Sequence, residues 1–155
     1  MRLKALPAAS AELLFLPQRD REYVHFEDSR DNPFDRAATS FSRVNAWWLA
    51  DAALLAYWDE EPARPIWARA GMGLEFLSRD GVQCHIGYTE GLVIVSFRGT
   101  QPNELKDLEH AAEIRHRPWE PGGSVHEGFR DGLRSIWPDV EKVLPAGYVN
   151  PELKK

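Results

Sequence analysis

The stretch Leu92-Val93-Ile94-Val95-Ser96-Phe97-Arg98-Gly99-Thr100 begins as an aliphatic run and stops at a charged residue and a glycine. Its first four residues do not alternate between apolar and polar. That pattern predicts a strand buried on both faces, the inner strand of a helix-covered sheet. Just upstream, Val82, Cys84, Ile86 and Tyr88 alternate with Gln83, His85 and Gly87. Period-2 alternation predicts a strand over Val82–Thr89 with one face wetter than the other. Leu74–Ser78 supplies a third strand. Asp80-Gly81 and Glu90-Gly91 separate the three runs and are dipeptides suited to hairpin turns.

Helical spacing flanks this sheet on both sides. From about Ser42, Val44, Trp47, Trp48, Leu54, Leu55 and Trp58 recur on one stripe, which predicts an amphipathic helix. Asn45 and Asp59 fall off the stripe. Asp51 interrupts it and is expected to face a partner group or the edge of the core. Ser40 or Ser42 can accept from the exposed N–H groups at the helix start. Glu60-Glu61-Pro62 is expected to end the helix, with a short helical turn following over Ile66–Ala70 and stopped by Gly71. Downstream, Pro102–His116 is helical in part, with Leu105, Leu108, Ala112 and Ile114 on one side. Pro118, Pro121, Gly122 and Gly123 then predict a loop. A last helix carries Phe129, Leu133, Ile136, Trp137, Val140, Val143 and Leu144 on its apolar face, with Pro138 expected to kink or restart it. Residues 1–40 are rich in Pro, Asp and Arg and predict an irregular, loop-rich segment, in which Leu13–Leu16 is a short strand or an anchoring patch. Residues 41–155 form the domain proper.

Composition bounds the function. The 155 residues are 43% hydrophobic and 28% charged, with six Trp and seven Phe, which predicts a globular chain with a sizeable core. The net charge is -5, with acids and bases interspersed and no basic stripe, so nucleic acid is not an expected partner. Cys84 is the single cysteine and excludes an internal disulfide. Pro7, Ser10, Glu12 and Pro17 break the apolar run that a signal peptide would need after Met1-Arg2-Leu3-Lys4. The expected location is cytoplasmic, or exported without a conventional signal. No transmembrane helix, cofactor or metal site is expected.

Ester hydrolysis by serine needs a nucleophile, a base with its orienting acid, and donors aimed at the developing oxyanion. Donors sit well at the carboxyl end of a central strand, where backbone N–H groups can point into a cleft. Arg98-Gly99-Thr100 occupies such a place, and Thr100 offers an N–H and a hydroxyl. The same tripeptide also reads as plain strand-to-loop punctuation. Other candidates have plainer roles. His126 and Glu127 are adjacent on a helix and do not face each other. His110 and His116, with Glu109 and Glu113, lack the i, i+4 spacing of a metal pair. Trp47, Trp48 and Trp58 at helical spacing read as core. Cys84 reads as an inert buried thiol. Ser96 lies inside a strand without an activating partner, and Ser124 reads as a loop serine.

Strand-Phe97-Arg98-Gly99-Thr100, a short polar helix, and then Val125-His126-Glu127-Gly128-Phe129 opening a long helix resemble the class 3 lipases. The resemblance spans roughly Phe41 to Val143 and is sharpest at the two motifs. It implies a partial α/β-hydrolase fold: a mixed sheet with N-terminal antiparallel strands and flanking helices. It implies that Thr100 is the catalytic oxyanion donor, that Gln101–Arg117 forms or borders a lid, and that His126 is structural. The implied substrate is a lipid carboxylic ester, with membrane or lipid-droplet contact through the lid. The family's nucleophile belongs to a Gly-x-Ser-x-Gly elbow after the helix matched by Phe129–Leu144, and these 155 residues contain no such elbow. The nearest string, Gly122-Gly123-Ser124-Val125-His126, has His at its fifth position. The expectation is therefore the front part of a lipase-type hydrolase, inactive alone. The alternative is a non-catalytic binding module, or a truncated gene product that pairs with a separate nucleophile-bearing half. An open sheet edge would favour self-association.

Overall fold

The computed structural model describes residues 23–99, 116–119 and 122–144. Leu13–Leu16, Thr100 and the Pro102–Ile114 segment lie outside them. The described residues form α1 (Arg43–Leu55), α2 (Glu60–Arg69), β1 (Gly73–Arg79), β2 (Val82–Thr89), β3 (Leu92–Phe97), β4 (His116–Pro118), β5 (Ser124–His126) and α3 (Glu127–Val143). The fold is mixed α/β. One antiparallel sheet has the order β1-β2-β3, and β4 and β5 make a separate two-stranded ribbon. Helices cover both faces of the larger sheet: α1 and α2 pack on one side and α3 on the other.

Local chemistry fixes the meander. At the first hairpin both Asp80 (φ 50) and Gly81 (φ 80) are left-handed. This is the mirrored turn whose twist matches the flanking strands. At the second only Gly91 (φ 71) is left-handed, and Arg36 donates to the Glu90 carbonyl at 2.6 Å. The two turns set a register that aligns Leu74, Gly87 and Ile94 on one rung and Phe76, His85 and Ser96 on another.

Helix α1 starts as expected, with Ser42 accepting from the Asn45 N–H at 3.4 Å. Glu60-Glu61-Pro62 does not end a helix; it opens α2. The two glutamates complement the exposed N–H groups of the first turn, and Pro62 at the third position gives up an N–H that has no helical acceptor there. The anticipated short turn over Ile66–Ala70 is the end of this ten-residue helix. Its stop is specific. Gly71 (φ 77) donates to Ala68 O and Met72 donates to Trp67 O, both at 3.0 Å, which satisfies two terminal carbonyls.

The sheet is dry where wetness was expected. Gln83, Cys84, His85, Ile86 and Gly87 of β2 are all buried. The face bearing Gln83, His85 and Gly87 lies under the helical layer, in a cluster built from Phe26, Trp47, Trp48, Leu55, Trp67, Leu74 and Ile94. The opposite face carries Cys84 and Ile86 against Ile136 and Val140 of α3. Conversely β3, expected to be the inner strand, is at an edge among the described residues. Ile94 and Ser96 are buried beneath the helices and Val93 packs against the α3 cluster, but Val95 and Phe97 are 37% and 38% exposed, because α3 lies mainly over β1 and β2.

His85 and Asp51 are paired inside this core, whereas Trp47 Nε1, Trp58 Nε1 and Ser96 Oγ are buried with no hydrogen-bond partner among the described residues. Trp67 Nε1 donates to His85 Nδ1 at 3.4 Å, and His85 Nε2 stands 2.9 Å from Trp58 O. Both contacts are satisfied by the neutral ring with its proton on Nε2. Burial pushes the His85 pKa below its ordinary value, and the Trp58 carbonyl partly offsets this. Asp51, on the buried stripe of α1, is 0% exposed. As its position in the sequence predicts, it meets partners: it accepts from the Phe26 N–H at 2.6 Å and from the Tyr23 hydroxyl. Burial first, and Asp51 second, raise the Tyr23 pKa, so the phenol keeps its proton. Phe26 is left-handed (φ 53) yet buried, a conformation costing on the order of 1–3 kcal/mol that surrounding contacts must hold. Residues 23–42 form turns and bends without helix or strand; Phe26 of this segment is buried in the domain core and Phe34 packs against it, whereas Phe41 is 85% exposed.

Helix α3 runs through Pro138 without a break. Pro138 is exposed, so its ring sits on the solvent side of the helix. Arg79 fastens the helix to β1 through Asp139 at 2.9 Å and Ser135 O at 3.2 Å. Lys142, and then Arg79, hold the Asp139 carboxyl below its usual pKa.

A Cβ on Gly87 would lie 2.3 Å from the Trp67 ring. Gly87→Ala should therefore lower stability by about 1–3 kcal/mol, read as a fall in urea midpoint at unchanged slope. His85 gives the pH dependence its sign. Below the ordinary value of 6.5 the unfolded chain takes up a proton that the folded chain refuses. Stability is then full above that value and falls as pH drops towards the lowered folded pKa, by up to about 1.4 kcal/mol per pH unit. Urea midpoints at descending pH should show this slope, and His85→Asn should flatten it.

Candidate functional site

The two motifs that carry the resemblance meet in space. Phe97, Arg98 and Gly99 leave the end of β3, and His126, Gly128 and Phe129 open α3. All six line one cleft of about 570 Å³. Val82 and Leu133 add apolar wall. Phe129, expected on the core stripe of the last helix, is 68% exposed. The first turn of α3 borders the cleft, and the buried part of the helix begins at Ile136.

Each side of the cleft has a local cause. Sheet pairing continues one residue past β3, with Arg98 N donating to Gln83 O at 2.9 Å, and the Arg98 guanidinium reaches Gly81 O at 3.4 Å. Gly99 follows. A Cβ there would sit 2.3 Å from the Tyr57 hydroxyl oxygen, so this position admits only glycine while the tyrosine keeps its place. On the other side a hairpin presents the helix. His116 pairs with His126, Arg117 with Val125 and Pro118 with Ser124. Trp119 N donates to Gly123 O at 3.1 Å and Gly122 N to Trp119 O at 2.8 Å, closing the turn. Of the expected loop, Pro118 is thus a strand residue and Gly122 and Gly123 belong to the turn, and Ser124 is an exposed strand residue rather than a loop serine.

His126 is the N-cap of α3. Its Nδ1 accepts from the Gly128 N–H at 3.1 Å, satisfying one of the donors a helix start leaves open. Glu127 turns away to Arg117, with an Nε–Oε1 distance of 2.7 Å. The pair therefore has no base-and-acid geometry, and His126 has the structural place that its sequence context predicts. Ser96 and His85 stand opposite each other on one face. They do not form a dyad: both nitrogens of His85 are engaged elsewhere, and Ser96 Oγ is buried with no hydrogen-bond partner among the described residues. Cys84 is 0% exposed, and burial pushes its thiol up to about 12, so it is no nucleophile. Trp47 and Trp48 are core residues and Trp58 packs against the same cluster.

Thr100, His110, Glu109, Glu113 and most of the expected lid lie outside the described residues. Among the described residues no group of His, Cys, Asp and Glu has a metal-holding arrangement, and no helix is long and apolar enough to cross a membrane. A larger depression of about 760 Å³ lies beside α2, but it is open and its Arg64 is tied to Glu60 and to Leu74 O. Tyr57 is the one residue of interest that sequence pattern missed. It lies just past α1, off any periodic stripe, and no spacing rule connects it to Gly99.

Replacement separates capping from catalysis. His126→Ala should lower thermal stability by about 1 kcal/mol, whereas His126→Asn or His126→Asp should retain most of it. Equal losses in all three would dismiss the cap. No family model, curated protein or solved structure matches the chain, so the chemistry rests on this cleft and on the motifs that frame it.

Proposed function

We propose that the chain is the oxyanion-side part of a lipase-type serine hydrolase with an α/β-hydrolase fold, acting on carboxylic esters of lipids. The observation that carries this is the convergence of Phe97-Arg98-Gly99 and His126-Gly128-Phe129 on one cleft. The two segments are far apart in sequence, and each alone has a plain structural explanation. Their meeting sets a strand exit beside an apolar groove, which supports an acyl-transfer site of this kind. In this proposal Thr100, the residue after Gly99, supplies the N–H and hydroxyl that stabilise the tetrahedral oxyanion. Val82, Phe97, Phe129 and Leu133 offer apolar surface to the acyl part. In this proposal a separate half brings the nucleophile on a strand that pairs with β3, and the base and acid on later segments.

The half-exposed apolar row of β3, with Val95 and Phe97, favours a second reading in part. Such an edge also suits a non-catalytic module that binds another strand. Both readings put a strand on β3, and they differ in whether it brings a serine.

The 155-residue chain should show no turnover of short-chain nitrophenyl esters. Co-expressed with a polypeptide carrying a Gly-x-Ser-x-Gly elbow, it should gain activity. Thr100→Ala in that pair should lower kcat by about 10²–10³-fold. Turnover by the lone chain that is lost on changing Thr100 or His126 would overturn the proposal. A stable pair without activity would favour the binding module.

A further inference from the structure

We infer that Tyr57 is a positioning residue: its side chain, lodged against Gly99, sets the direction in which the backbone leaves β3. This rests on the proposed function, which places the oxyanion donor at the next residue.

The mounting of Tyr57 is firm on both sides. Its N–H donates to Leu54 O at 3.4 Å and the Trp58 N–H donates to Leu55 O at 2.9 Å, so the last carbonyls of α1 hold the linker. One residue on, Trp58 O is held by His85 Nε2 at 2.9 Å, from the middle of the sheet. A backbone fixed before and after the tyrosine leaves its side chain few directions. The one adopted brings the hydroxyl oxygen to 2.3 Å and Cζ to 3.4 Å from the place a Gly99 Cβ would fill. The contact falls immediately after the final rung of the sheet, Arg98 N to Gln83 O. Gly99 is a residue of wide conformational freedom, standing where strand pairing has ended. The tyrosine limits that freedom from the helical side. Because Gly99 also lines the cleft, the constraint acts at the site's edge. Tyr57 itself touches no reacting atom in this scheme.

The contact makes a size-swap test possible. Gly99→Ala should displace the strand exit while Tyr57 is present. Tyr57→Phe removes the hydroxyl oxygen and leaves Cζ at an ordinary contact distance, so the double variant Tyr57→Phe/Gly99→Ala should recover. The readout is backbone amide exchange in the full 155-residue chain. Tyr57→Ala should speed exchange at Arg98, whose N–H makes the last rung to Gln83 O, by about tenfold or more, with Ile86 and Val95 unchanged. Equal acceleration across the sheet, or Gly99→Ala equally harmful beside Tyr and Phe, would overturn the inference. In an active pair with the nucleophile-bearing half, Tyr57→Ala should lower kcat roughly 10- to 100-fold at unchanged KM, and an unaltered kcat would also overturn it. If no pairing is active, the proposed reaction fails while the exchange result still decides the positioning role.

Discussion

Trp67 lying flat against Gly87 is the contact on which the rest of the domain is arranged. The indole is 0% exposed and occupies the space a side chain on the middle strand would need. This lets α2 approach the sheet closely enough for the indole N–H to reach His85. The same ring lies 5.1 Å from that of Phe26, and the same residue's carbonyl receives Met72 where the chain turns into β1. One residue thus joins helix, sheet, N-terminal segment and turn. A polar network in so dry a place is sensitive to any gap, because an unpaired group there costs far more than its hydrogen bond contributes at a surface.

The sequence was informative where structure is decided locally and misleading where it is decided by neighbours. Strands β2 and β3 and both turns follow from alternation and from Asp-Gly and Glu-Gly chemistry, which act over a few residues. The dry face could not be seen the same way. His85 and Gln83 read as solvent-facing because polarity stands in for exposure, yet their partners lie on a helix and linker distant in sequence. Glu60-Glu61-Pro62 was ambiguous for a related reason: proline both ends helices and tolerates their first turn. Phe129 keeps helical spacing with Ile136 but stands at the cleft, since periodicity gives a direction and not what lies there. His126 was legible as structural, and its geometry as a cap agrees. Tyr57 left no signal, because a single close approach has no period.

The cleft takes its character from the unequal cover of the sheet. On one side α1 and α2 seal the rungs as far as β3, and on the other α3 lies mainly over β1 and β2, with Val93 of β3 at its margin, while its first turn stands beside the strand exit. Apolar surface on β3 is thereby left next to the exit of the chain from the sheet at Arg98 and Gly99. A ligand set there would have the apolar side chains of Phe97, Phe129 and Leu133 beside it.

The spacing of elements along the chain also orders their assembly. Helices α1 and α2 and the three-strand meander follow one another through short connections, so their mutual contacts close small loops. Helix α3 reaches the same sheet only after the chain has travelled from Phe97 to Glu127, and its docking closes a much longer one. Loop closure grows costlier with length, and short-range contacts form sooner. Loop closure therefore favours the Trp67 side of the sheet over the docking of α3, and the cleft needs both.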